Sequence, residues 1–114
     1  MSTNSRLRAV YPTEKGTMRL KPIYCHWDGY PSNMLPLLNE NYNTIEKVEE
    51  LMALGNLSYL AERVKPEPEE EHSFDKPIRD ITVAYHRDRG EDLEFWNDRQ
   101  HYNYIFNGET WKIE

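Results

Sequence analysis

Apolar and polar side chains alternate along two stretches of the chain. Ile23, Cys25 and Trp27 alternate with Tyr24, His26 and Asp28, and Ile81, Val83 and Tyr85 alternate with Thr82, Ala84 and His86. A period of two is the signature of a half-buried strand. The spacing predicts strands over residues 17–27 and within "DITVAYHRD", with Ile23, Cys25, Trp27, Ile81, Val83 and Tyr85 facing the core. A further strand over 5–11 is expected to turn into the first through "PTEKGT", where Gly16 supplies the positive φ of a hairpin loop. "DLEFW" reads as a weaker strand. "YNYIFNGETWKI" reads as a hairpin on a two-residue Asn107-Gly108 turn, with Tyr102, Tyr104, Phe106, Trp111 and Ile113 on one face.

The pattern changes to helical spacing in the middle of the chain. Ile45, Val48, Leu51 and Met52 recur on one face, "NTIE" (Asn43 to Glu46) fits a capping pattern, and Gly55 suits a terminator. "NLSYLAERV" is expected to add a turn or two of helix. An earlier short helix is expected to start at Ser32 or Asn33 and run to Tyr42, with Pro36 restricting where it begins. The order ββ-α-α-βββ implies an α+β fold: an antiparallel sheet of four to five strands with two to three short helices packed on one face. It is expected to be a single domain over 1–114, with a mobile acidic loop at about 65–79 in "KPEPEEEHSFDKP".

Composition narrows the function classes. A net charge of −6 disfavours direct nucleic-acid binding, which needs a clustered positive field. Cys25 is the sole cysteine, so no disulfide forms within the chain. With no apolar run of signal-peptide or membrane-spanning length, a cytoplasmic location is expected. No Walker loop, dinucleotide fingerprint, C-x-x-C pair or G-x-S-x-G elbow is present.

Two H-x-D triplets carry the candidate chemistry, His26-Trp27-Asp28 and His86-Arg87-Asp88. If both lie on neighbouring strands, two imidazoles and two carboxylates converge on the face away from the helices. That set suits a divalent metal or acid–base work on a phosphodiester. The plainer alternative is that Asp28 caps a turn and His26 hydrogen-bonds on the sheet surface. "RDRGED" offers Arg87 and Arg89 as a fork for a partner's carboxylate or phosphate, or else a solvated turn. Glu69, Glu70 and Glu71 belong to a solvated acidic run, or imitate a nucleic-acid backbone beside Trp27 and Tyr30.

The segments "IYCHWDGYP", "EKVEELMALGNLSYL", "HSFD" and "TVAYHRDRGED" together resemble a family of small phage and Gram-positive prophage proteins, mostly uncharacterised. The resemblance covers about Ile23 to Asp92 and departs from the family pattern at Leu35-Pro36. It implies a small acidic protein of a mobile element, a setting in which inhibitors of host defence are common. The leading expectation is therefore a non-enzymatic, anti-CRISPR-type inhibitor that binds a Cas9-like effector or blocks its guide-RNA loading. Partner contacts are then assigned to Trp27, Tyr30, Arg87, Arg89, Glu69, Glu70 and Glu71. No cofactor is favoured. The alternative is a small metal-assisted nuclease using His26, Asp28, His86 and Asp88, with a divalent metal. A structural phage accessory protein, or a homo-oligomer, stands behind both.

Overall fold

The computed structural model describes residues 3–114, so the first two residues of the expected domain lie outside the described residues. Strand β1 (Ser5–Thr13) is the hub of the sheet. Its second half forms the expected hairpin with β2 (Gly16–Arg19), through Val10↔Arg19 to Thr13↔Gly16. Its first half pairs antiparallel with β3 (Ile23–Cys25), through Ser5↔Cys25 and Leu7↔Ile23. β2 and β3 are thus two parts of one returning segment. Leu20 still donates its N–H to the Ala9 carbonyl at 3.0 Å, but Pro22 has no N–H to continue the ladder.

Helices α1 (Pro31–Asn41) and α2 (Ile45–Met52) carry the chain back to β4 (Leu57–Tyr59), which lies parallel to β3. β4 pairs antiparallel with the two-residue β5 (Val83–Ala84). Near the end of the chain β6 (Tyr102–Phe106) lies parallel to β1, and β7 (Trp111–Ile113) turns back against β6. The order is β5-β4-β3-β1-β6-β7, with β2 attached to β1. The fold is α+β. Among the described residues the sheet has seven strands and is mixed, not the purely antiparallel sheet of four to five strands expected, because both helices lie within one crossover between parallel neighbours.

One face of the sheet carries the core. Leu7 and Ala9 of β1 and their register partners Tyr104 and Phe106 of β6 pack with Ile23, Cys25 and Leu57, against Met34 and Leu38 of α1 and Val48, Leu51 and Met52 of α2. Trp111 closes one end, its indole donating to the Tyr42 carbonyl at 2.8 Å. The opposite face carries Arg6, Arg8 and Tyr24, and the irregular segment 91–100 crosses it, with Asn97 bonded to Arg6 and Trp96 against Tyr24. No helix among the described residues is long and apolar enough to cross a membrane.

Several local expectations change. α1 starts at Pro31, ahead of Ser32 and Asn33, with a proline in its first turn where no amide partner is needed, and it runs through Pro36. The α2 cap is Thr44, whose hydroxyl accepts from the Lys47 amide at 3.2 Å, one residue later than the Asn43 pattern suggests. "LSY" (Leu57–Tyr59) is a strand and not further helix. Gly55 turns the chain at φ +76, where a Cβ would stand 2.7 Å from both the Glu94 carbonyl oxygen and a Leu93 methyl. "DLEFW" is not a strand. The last hairpin has a four-residue connection, Asn107 to Thr110, in which the Asn107 side chain accepts from the Glu109 and Thr110 amides.

Trp27 leaves the expected core. β3 stops at Cys25, and Trp27 is 43% exposed. Tyr85 is only half-buried, because β5 ends at Ala84 and Tyr85 opens the one-turn helix α3 (Tyr85–Arg89). Ile81 and Val83 are buried outside the main cluster, which Ala84 joins instead.

Candidate functional site

β3 and β5 do not pair. β4 stands between them, with Leu57 opposite Cys25 on one side and Ala84 on the other. The ends of β3 and β5 therefore meet at one level of the sheet, beside the start of β4. Asn56, immediately before β4 and 7% exposed, ties this corner together. Its Oδ1 accepts from the Tyr24 amide at 3.0 Å and the Trp96 amide at 3.2 Å. Its own amide donates to the Glu94 carbonyl at 2.9 Å, and its carbonyl accepts from the Tyr85 amide at 3.2 Å. One buried side chain and its peptide groups hold three separate segments.

These segments enclose an open pocket of about 340 Å³. His26 follows β3 and His86 lies on α3, and both line it. The Tyr24 hydroxyl lies 2.6 Å from His26 Nδ1. Burial pushes the phenols of Tyr24 and Tyr85 above the usual range, so each stays protonated. His86 Nδ1 lies 2.6 Å from the Glu91 carbonyl. A carbonyl only accepts, so Nδ1 carries a proton and Nε2 is the ring nitrogen left to face the pocket's contents.

Aromatic rings form a continuous strip of which His26, Tyr24 and Trp96 line the pocket and Trp27 lies beyond it. Trp27 meets His26 edge-on at 4.7 Å between centroids, His26 lies 5.8 Å from Tyr24, and Tyr24 lies 4.9 Å from Trp96. The two ends of this strip are exposed, Trp27 by 43% and Trp96 by 45%. Tyr30, two residues beyond the Asp28 turn, is 40% exposed. On the other wall Arg89 pairs with Glu91 at 3.2 Å and lays its guanidinium over Phe74 at 4.8 Å. Asp92 and Glu94 complete an acidic rim, Glu94 accepting from the Trp96 indole at 3.2 Å.

The carboxylates of the two triplets go elsewhere. Asp28 sits in an exposed turn at φ +54, and it is its backbone carbonyl that accepts from the Asn33 amide group, at 2.8 Å. Asp88 is on a helix, where residues two apart point to different sides, so it turns away from His86. It accepts from the Ala84 amide at 2.8 Å and from Arg87 at 2.9 and 3.0 Å. Burial works against its charge, but these hydrogen bonds and the neighbouring guanidinium outweigh that and hold it below the usual carboxylate range. Arg87 also donates to the carbonyls of Val64 and Thr82, so it fastens two chain segments and lies outside the pocket wall. Among the described residues no group of three or more His, Cys, Asp or Glu is placed to hold a metal ion.

The acidic segment has no regular secondary structure but is anchored. Glu70 accepts from both terminal guanidinium nitrogens of Arg63, at 2.8 and 2.9 Å, which together with the Glu67 amide pull its carboxyl down to about 2. His72 has a fully buried side chain that accepts from the Ile78 amide at 2.9 Å and turns Nε2 toward Asp88 at 3.4 Å. Only Glu69 and Glu71 of the three candidate glutamates are exposed. Sequence reasoning missed Asn56, Tyr24, Tyr85 and Trp96. An asparagine directly after a helix-ending glycine was the available signal for the first. Comparison with family models, curated proteins and solved structures gave no match to this chain.

Proposed function

We propose that this protein acts by binding another protein through the surface between Trp27 and Trp96. The observation that carries this is the continuous aromatic strip with an exposed tryptophan at each end. Exposed indoles are costly to leave in water and concentrate binding energy when a partner covers them. The net charge of −6 steers such a protein toward a basic partner. In the phage setting implied by the HWDGYP and YHRDRGE segments, the partner is a host-defence protein, and a Cas9-like effector or its guide loading is the first to test.

The phosphodiesterase alternative draws support from His26 and His86 lining one pocket. It is the weaker reading, because Asp28 and Asp88 are absent from the wall and Glu91, Asp92 and Glu94 would repel a phosphodiester.

The test is affinity capture from a bacterial lysate, followed by binding and inhibition assays on the purified partner. Trp27→Ala and Trp96→Ala should each weaken binding by about 2 kcal/mol, roughly thirtyfold, with little change in melting temperature. If both variants bind as the parent does, the aromatic surface is not the interface. Release of guide-RNA fragments by the pure protein, abolished in His86→Ala, would instead establish the hydrolytic reading.

A further inference from the structure

We infer that the pocket takes an arginine side chain presented by the protein partner. This rests on the binding function proposed above and names the chemistry of the same site. Three carboxylates, Glu91, Asp92 and Glu94, lie on its wall, against the single guanidinium of Arg89, which is already paired with Glu91 at 3.2 Å. The wall is therefore left with excess negative charge. Tyr24 and Trp96 line the same pocket, their ring centroids 4.9 Å apart and their planes inclined at 46°, and the Trp96 indole donates to Glu94 at 3.2 Å. Electron-rich faces beside carboxylates attract cations and disfavour anions. A planar guanidinium stacks on an aromatic face while its edge donates to a carboxylate, which an ammonium cannot do with the same geometry.

The pocket is also more than an acidic patch. Asn56 is more than nine-tenths buried and lines it, with Oδ1 already accepting two backbone amides. Its remaining group, Nδ2, is a donor and suits a carbonyl oxygen of the same incoming segment. A cation and a carbonyl on one ligand are what an arginine residue within a peptide provides, and what a free metal ion or a simple amine does not. A cavity of about 340 Å³ has room for one extended side chain together with part of its backbone.

The experiment follows the amide, indole and side-chain amide signals of the isotope-labelled protein during titration with Ac-Gly-Arg-Gly-NH2. Ac-Gly-Lys-Gly-NH2, Ac-Gly-Gln-Gly-NH2 and inorganic phosphate serve as comparisons. The expected result is a saturable millimolar shift of the Trp96 indole and the Asn56 side-chain amide, strongest with the arginine peptide and absent with the glutamine peptide and phosphate. Asp92→Asn combined with Glu91→Gln should weaken the arginine titration roughly three- to tenfold, the scale of one or two exposed charge pairs, and leave the remaining spectrum folded. Equal shifts with the glutamine peptide, or shifts with phosphate alone, would overturn the inference. So would an unmoved pocket in a protein whose partner capture still depends on Trp27 and Trp96. In that last case the binding function stands and only the arginine site falls.

Discussion

Asn56 and Arg87 show how much of this small protein depends on single polar side chains. Replacing Asn56 by alanine leaves the Tyr24 and Trp96 amides without their acceptor, and at about 1–3 kcal/mol for a buried unsatisfied group the protein should lose roughly 2–4 kcal/mol in a denaturant titration. The pocket signals of Tyr24 and Trp96 should shift together in the same variant, since one atom holds both. Arg87→Ala removes bonds to two carbonyls and to the Asp88 carboxylate and should cost about 3 kcal/mol. Arg87→Lys should recover less than half of that, because an ammonium cannot span the same three acceptors. Partner affinity measured on the folded fraction should barely change, which would separate Arg87 from Arg89 on the pocket wall.

At the scale of elements, α2 and the turn that follows it set the position of β4. Thr44→Ala removes the α2 cap and should cost about 1 kcal/mol, with the first turn of the helix showing the larger gain in amide exchange. Gly55→Ala is a harsher change. It forces a side chain into the left-handed region and against the Glu94 carbonyl and Leu93, so a loss of more than about 2 kcal/mol is expected. Because segment 93–94 must move to admit the methyl group, Gly55→Ala should also displace Trp96 and weaken partner binding. A stability loss with unchanged binding would show that the pocket does not depend on this close approach.

Over the whole molecule, charge governs both acid stability and encounter. Hydrogen bonds from Arg63 hold Glu70 at about 2 and lower Asp80, a hydrogen bond from Arg8 lowers Glu114, and Asp88 is lowered despite its burial. Each carboxylate binds its proton more weakly folded than unfolded. Their contribution is complete above the ordinary carboxylate range of about 4 and is lost as pH falls toward about 2. The denaturant midpoint should therefore decline across that window, and less steeply in Arg63→Ala. Glu69 and Glu71 are free to act in encounter, while Glu70 is held by Arg63. Reversing Glu69 and Glu71 to lysine should slow association with a basic partner and flatten its salt dependence, with dissociation nearly unchanged. An unchanged association rate would remove this segment from the encounter surface.

The α+β class, both hairpins and the span of α2 were legible in the chain, because local periodicity and turn residues report directly which side of an element is dry. Periodicity carries no information on which strands are neighbours or which way they run. Hence the parallel pairings of β1 with β6 and β3 with β4 came only from the tertiary structure. β4 escaped notice for a related reason: a strand of three residues has too little pattern to outweigh the helical run before it. His26 and His86 do reach one pocket, but through β4 and Asn56 and not through direct pairing. Their aspartates part from them because β3 stops at Cys25 and the chain bends into a helix at Tyr85. An alternating sequence determines which residues share a face only while the strand lasts. Where it ends is decided by the neighbours available to receive its hydrogen bonds.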